Sequence, residues 1–115
     1  MTVRIYHNPR CSKSRQTLAL LEQHGHTPEV IEYLKTPLTA ADLETLLTQL
    51  GMRPREILRK GETAYKELGL SDTSLSDMAL ITAMAAHPIL IERPIVETGG
   101  KAAIGRPPES VLAIL

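Results

Sequence analysis

Cys11 is the single cysteine of this 115-residue chain. It stands in Tyr6-His7-Asn8-Pro9-Arg10-Cys11-Ser12-Lys13-Ser14-Arg15, between a short apolar run and a helical pattern. A thiol at the start of a helix meets unpaired backbone N–H groups and the positive end of the helix dipole, and both favour the thiolate. Arg10, Lys13 and Arg15 add positive charge nearby in sequence, and His7 is a candidate fourth cation. A lone cysteine is often an inert small hydrophobe of a core. The flanks of Cys11, however, are polar, basic and turn-forming, which is the setting of a reactive thiol. Asn8-Pro9 predicts a tight turn that folds His7 back toward Cys11, where its ring either pairs with the thiolate or only orients the loop. His7 and Cys11 do not make a metal site alone, because zinc takes three or four ligands. His24, His26 and His87 are not spaced as a ligand cluster.

Three arginines occupy turns or element ends: Arg59 in Arg55-Glu56-Ile57-Leu58-Arg59-Lys60, Arg93 before Pro94, and Arg106 before Pro107. A guanidinium fork matches a tetrahedral oxyanion with paired N–H bonds. Three such forks converging on a thiolate would form an anion site and lower the thiol pKa. With 13 Lys and Arg in the chain, ordinary surface arginines satisfy the same spacing, and spacing alone favours that plainer reading.

The elements that must position these groups follow from periodicity. Val3–Tyr6 alternates as a strand and is ended by Asn8-Pro9. Residues 14–24 are helical in pattern, with Leu18 and Leu21 on one face and Gly25 as the stop. Residues 29–34 form a second strand, so the first third of the chain is a βαβ unit with parallel strands and a right-handed crossover. Cys11 then lies beyond the C-terminal end of the first strand, where open α/β sheets place ligands. The middle is helical. Thr39 to Asp42 resembles a capping box, and Leu43, Leu46, Leu47 and Leu50 form an amphipathic stripe ended by Gly51. Pro54 opens a short helix to about Lys60, residues 63–69 form another helical turn, and Ser76 caps a helix through Ala86 with Met78, Ile81 and Ala85 on one face. Ile89–Ile91 and Ile95–Glu97 have the pattern of strands, Thr98-Gly99-Gly100-Lys101 is a hairpin turn, and Ala102–Ile104 completes it. A last helix carries Val111, Leu112 and Leu115.

Length predicts one domain spanning 1–115. Thirteen basic and thirteen acidic side chains balance, so no global field draws the chain to nucleic acid or a membrane. One cysteine excludes an intrachain disulfide framework, no apolar run approaches the roughly 20 residues of a membrane span, and Met1-Thr2-Val3-Arg4-Ile5 is too polar for a signal peptide. The expectation is a cytoplasmic monomer with an aliphatic core, since Phe and Trp are absent.

The stretch from Tyr6 to Leu18 resembles the active-site segment of the glutaredoxin-dependent arsenate reductases, the ArsC family. The resemblance continues through Ile57-Leu58-Arg59-Lys60, Tyr65-Lys66-Glu67-Leu68-Gly69-Leu70, His87 to Val96, and Gly105 to Leu112. It implies an α/β, thioredoxin-like fold: a small mixed four-stranded sheet flanked by helices, with a helical insertion at about residues 38–87. The Arg93-Pro94 bond is implied to be cis, with Pro94 facing the thiol. The implied activity is reduction of arsenate to arsenite, with glutathione as co-substrate, glutaredoxin as partner and no tightly bound cofactor or metal. Cys11 matches the family's nucleophile, and His7 the histidine that helps to keep the thiolate. Arg59, Arg93 and Arg106 match its anion-binding arginines, with Asn8, Ser14, Arg15 and Pro94 supporting the loop. Some family members carry a longer C-terminal tail, and Arg10, Ser12 and Lys13 differ from the best-known members. Two other readings share the fold. A redox regulator of the Spx type, which binds RNA polymerase, uses a Cys-x-x-Cys switch, whereas this chain has Ser14 at the second position. A glutathione-linked thiol oxidoreductase acting on another substrate would not need the arginines.

Overall fold

The computed structural model describes residues 2–115. Its contacts separate the described residues into two compact units, one formed by residues 2–36 with 93–115 and the other by residues 37–92. The first unit carries all four strands: β1 (Val3–Tyr6), β2 (Glu29–Ile31), β3 (Ile95–Thr98) and β4 (Lys101–Ile104). They lie in the order β2-β1-β3-β4. β1 runs parallel to β2, with Tyr6 opposite Ile31, and antiparallel to β3, with Tyr6 opposite Ile95. β3 is antiparallel to β4, with Ile95 opposite Ile104. The sheet is therefore mixed and the fold is α/β and thioredoxin-like, with α1 (Ser12–Gln23) as the crossover between β1 and β2.

This register determines where the chemistry can be. The end of β1, the start of β3 and the end of β4 meet at one end of the sheet. The three segments bearing Cys11, Arg93 and Arg106 continue from those points. Strand pairing thus brings the segment of Cys11 to those of two arginines far away in sequence.

The core of this unit is aliphatic. Val3, Ile5 and Val96 from the sheet pack with Leu21 of α1 and Val111, with Leu18, Leu20, Ala103 and Ile114 around them. Val111 and Ile114 belong to a closing 3-10 helix, Pro108–Ile114. Gly99 and Gly100, both at positive φ, make the tight β3–β4 turn, a conformation that suits glycine and matches the twist of a two-residue hairpin.

In the 37–92 unit, α2 (Ala40–Leu50) starts with a complete capping box. The Thr39 hydroxyl accepts from the Asp42 N–H, and the Asp42 carboxylate accepts from the Thr39 N–H. It buries Leu43, Leu46 and Leu47 and ends at Gly51 in the left-handed conformation. A 3-10 helix (Pro54–Ile57), the short α3 (Thr63–Glu67), α4 (Asp77–Ala86) and a 3-10 turn (Pro88–Leu90) follow.

Several expected boundaries are corrected. Ile89–Ile91 is not a strand. Pro88 opens a 3-10 turn through Leu90, and Ile91 makes only an isolated bridge to Leu58. The second strand stops at Ile31, because residues 32–36 turn, with Lys35 and Thr36 N–H both donating to Glu32 O. α4 buries Leu80, Ile81 and Met84, while Met78 is exposed. The last helix is 3-10 rather than α, and the helix after Pro54 ends at Ile57. α1 begins at Ser12, two residues before the expected start.

Candidate active site

Cys11 is the N-cap of α1, with extended backbone, and contributes no side-chain cap bond of its own. The first turn of α1 contains no acidic residue. An anion placed there is met only by N–H groups and the positive end of the helix. Burial raises the Cys11 pKa, but the Ser14 N–H, the Arg93 guanidinium acting by hydrogen bond and by charge, and the Lys13 N–H outweigh it, so the net shift is downward. Arg106 Nη2 also lies 3.4 Å from Cys11 Sγ. The thiol is only partly buried, so it remains open to attack an incoming molecule.

The loop before Cys11 is built from its own side chains. Asn8 Oδ1 accepts the Arg10 N–H at 3.0 Å, and Asn8 O accepts the Cys11 N–H at 3.0 Å. These bonds close the turn that Asn8-Pro9 predicts. Arg15 Nη1 reaches back to Pro9 O at 2.8 Å. His7 and Asn8, both buried, are tied to α1 through Ser14. The Asn8 N–H donates to Ser14 Oγ at 3.0 Å, and Ser14 Oγ lies 2.6 Å from His7 Nδ1. His7 N–H also donates to Ile31 O, fastening the loop to β2 at 2.8 Å. Burial lowers the His7 pKa, with Arg15 adding to the effect against Glu32. Burial thus favours the neutral imidazole, whose Nδ1 shares a hydrogen bond with the Ser14 hydroxyl. The ring does not supply a fourth positive charge.

That network makes a pH prediction. His7 is depressed in the folded state, so between its folded pKa and about 6.5 the unfolded chain binds the extra proton. Stability is fully present above that window and is lost as pH falls through it. In His7→Asn the side-chain amide can replace Nδ1 as the hydrogen-bond partner of Ser14 but does not titrate. Urea melts through this window are expected to give a shallower decline with acid than in the parent. An unchanged slope would assign the decline to other groups.

Arg106 and Arg93 are linked directly. Arg106 Nε donates to Arg93 O at 2.7 Å, so the two arginines stand as one assembly beside the sulfur. The Arg93-Pro94 bond is cis, and so is Arg106-Pro107, which nothing in the sequence singled out. Pro94 is buried. Arg59 belongs to the 37–92 unit. Its Nη1 pairs with Glu92 at 2.7 Å and its Nε with Glu62 at 3.3 Å, while its N–H donates to Leu90 O. The two carboxylates were not anticipated, since Glu62 and Glu92 match no pattern that points to Arg59. The N–H donors of Lys13 and Ser14 are the kind expected at the start of the helix. The close packing at Gly105 was missed, because Gly105 has the pattern of a helix opener.

Among the described residues, no cluster of three or more His, Cys, Asp or Glu is placed to hold a metal. No helix among them is long and apolar enough to cross a membrane.

A partly exposed cysteine thiol with a lowered pKa at a helix N-terminus, beside the Arg93-Pro94 segment of a four-stranded mixed sheet, defines a thioredoxin-like thiol protein. The chain belongs to the ArsC family, whose model matches residues 6–114. It is 60% identical to the uncharacterized protein YfgD of Escherichia coli strain K12 over 114 residues, 98% of this chain and 96% of that one. It is 48% identical to an arsenate reductase of Neisseria meningitidis, covering 98% and 97%. The solved structure of an arsenate reductase from Vibrio cholerae superposes with a TM-score of 0.98 at 58% identity, covering 100% of this chain and 98% of that one.

Proposed function

We propose that the protein reduces arsenate to arsenite through Cys11, with glutathione and glutaredoxin supplying the electrons, in the cytoplasm. The observation that carries this reading is the Cys11 sulfur held between the Arg106 and Arg93 guanidiniums at the N-terminus of α1. The names of the relatives at 48% and 58% identity support it. A disulfide exchanger needs a thiolate but no paired arginine forks; a tetrahedral oxyanion needs both.

In the proposed cycle the forks bind arsenate with an As–OH facing the sulfur. The Cys11 thiolate attacks arsenic and forms an S–As bond while one As–O bond breaks, its hydroxyl taking a proton from solvent and leaving as water, to give a cysteinyl arsenate ester. Glutathione attacks this adduct. Arsenic gains two electrons, two thiols become one mixed disulfide, and arsenite leaves. Glutaredoxin then resolves the disulfide, returning Cys11 to the thiolate. The resolving thiols come from outside the chain, consistent with its single cysteine. Arg59 is proposed as a third anion ligand. Its two carboxylate partners keep its fork in one orientation, and arsenate would compete with them for its N–H groups.

The direct test is arsenate-dependent NADPH oxidation coupled through glutathione, glutaredoxin and glutathione reductase. Turnover is expected only with the complete mixture. Equal oxidation without arsenate, together with full exchange activity on a glutathione mixed disulfide, would replace the reductase by a thiol oxidoreductase.

A further inference from the structure

Gly105 does not owe its identity to backbone conformation, since its φ lies outside the left-handed region that favours glycine. It owes it to space. A Cβ at this position would stand 2.5 Å from Thr17 Oγ1, 2.8 Å from Pro94 Cγ and 3.1 Å from Thr17 Cγ2. Neither neighbour can yield. Thr17 is completely buried in α1, β-branched, and fixed by its hydroxyl donating to Lys13 O at 2.8 Å. Its χ1 freedom is small for that reason. Pro94 is a buried ring, and its carbonyl accepts the Gly105 N–H at 2.9 Å.

Three segments meet at this point: α1, whose N-cap is Cys11; the Arg93-Pro94 turn; and the chain leaving β4 into Arg106. We infer that Gly105 is a positioning residue, whose lack of a side chain sets the distance between the Cys11 sulfur and the Arg93 and Arg106 guanidiniums. A methyl group here must part α1 from the turn or push the backbone of Arg106 outward. Either movement lengthens the 3.4 Å Arg106–Cys11 contact. Opposite charge acts on a titrating group mainly within about 4–6 Å, so small displacements there are felt strongly. The inference rests on the proposal that Cys11 is the reactive thiolate.

The test is the pH dependence of Cys11 alkylation by iodoacetamide, which reports the thiolate without arsenate, glutathione or glutaredoxin. In Gly105→Ala the midpoint is expected to rise by about one pH unit relative to the parent. Ile5→Val, a core change in β1 that leaves Gly105, Thr17 and Pro94 unaltered, is expected to lower thermal stability yet keep the parental midpoint. Thr17→Ile overfills the same gap from the helix side and serves where Gly105→Ala does not fold; it too is expected to raise the midpoint. A depressed parental midpoint left unchanged in these variants overturns the inference while leaving the thiolate reading intact. A parental midpoint at the ordinary thiol value of about 8.5 overturns both. An equal rise in Ile5→Val also overturns the inference, because the readout would then follow stability and not the seam.

Discussion

Cys11→Ser is expected to fold as the parent does and to lose arsenate-dependent NADPH oxidation by at least about 10³-fold, the scale on which removal of a covalent nucleophile acts. The expectation of normal folding follows from the local geometry. Serine is a favoured N-cap and can accept from the same Lys13 and Ser14 N–H groups, and the turn before it is closed by backbone and Asn8 bonds that serine leaves in place. The loss follows from chemistry. Serine offers the same reach, but its hydroxyl is not ionised by the donors that favour the cysteine thiolate. The readout pairs turnover with a thermal melt. Arsenate turnover retained at more than a few per cent of the parental rate would remove Cys11 from the reaction, because no second thiol exists in the chain to replace it.

What could be foreseen from sequence divides along physical lines. The βαβ start, the α2 stripe with its capping box, and the Gly99-Gly100 hairpin were legible because each depends on residues close together in the chain. Ile89–Ile91 misled because a run of three large aliphatics suits a strand as well as a buried turn, and only Pro88 distinguishes them. α4 misled for a related reason. Its sequence, Asp77 to Ala86, is apolar nearly all round, so periodicity selects no face, and Met78 rather than Leu80 looked inward. In α1 the buried positions are Ser14, Thr17 and Leu21. Two of these are polar, and hydrophobic patterning passes over them. Ser14 is inside because His7 and Asn8 need its hydroxyl, and Thr17 because Gly105 leaves room for it. The meeting of Arg93 with Arg106 depends on strand register across the β3–β4 hairpin, which residue spacing alone did not determine.

Arg93→Ala carries the second large effect, and it should divide into two separable parts. The guanidinium stabilises the Cys11 thiolate by hydrogen bond and by charge. Its removal therefore raises the thiol pKa, and the acidic limb of the kcat/KM profile for arsenate is expected to move up by about one pH unit. The sign follows from linkage. A thiol depressed in the folded state contributes stability that is present above the unfolded pKa near 8.5 and is lost as pH falls through the folded value. Raising the folded value narrows that window, so the parent's stability advantage over the variant should shrink in acid. The other part is anion binding. Losing a charged fork from a tetrahedral oxyanion is expected to raise KM for arsenate about 10- to 100-fold. Arg93→Lys separates the two. It keeps a positive charge near the sulfur but not the planar pair of donors, so the pH limb should stay close to the parent's while KM remains high. If lysine restored both, charge alone would explain the site and the geometric match to arsenate would be unnecessary. If it restored neither, the place of Arg93 in the assembly with Arg106, whose Nε donates to Arg93 O, would depend on the guanidinium packing itself.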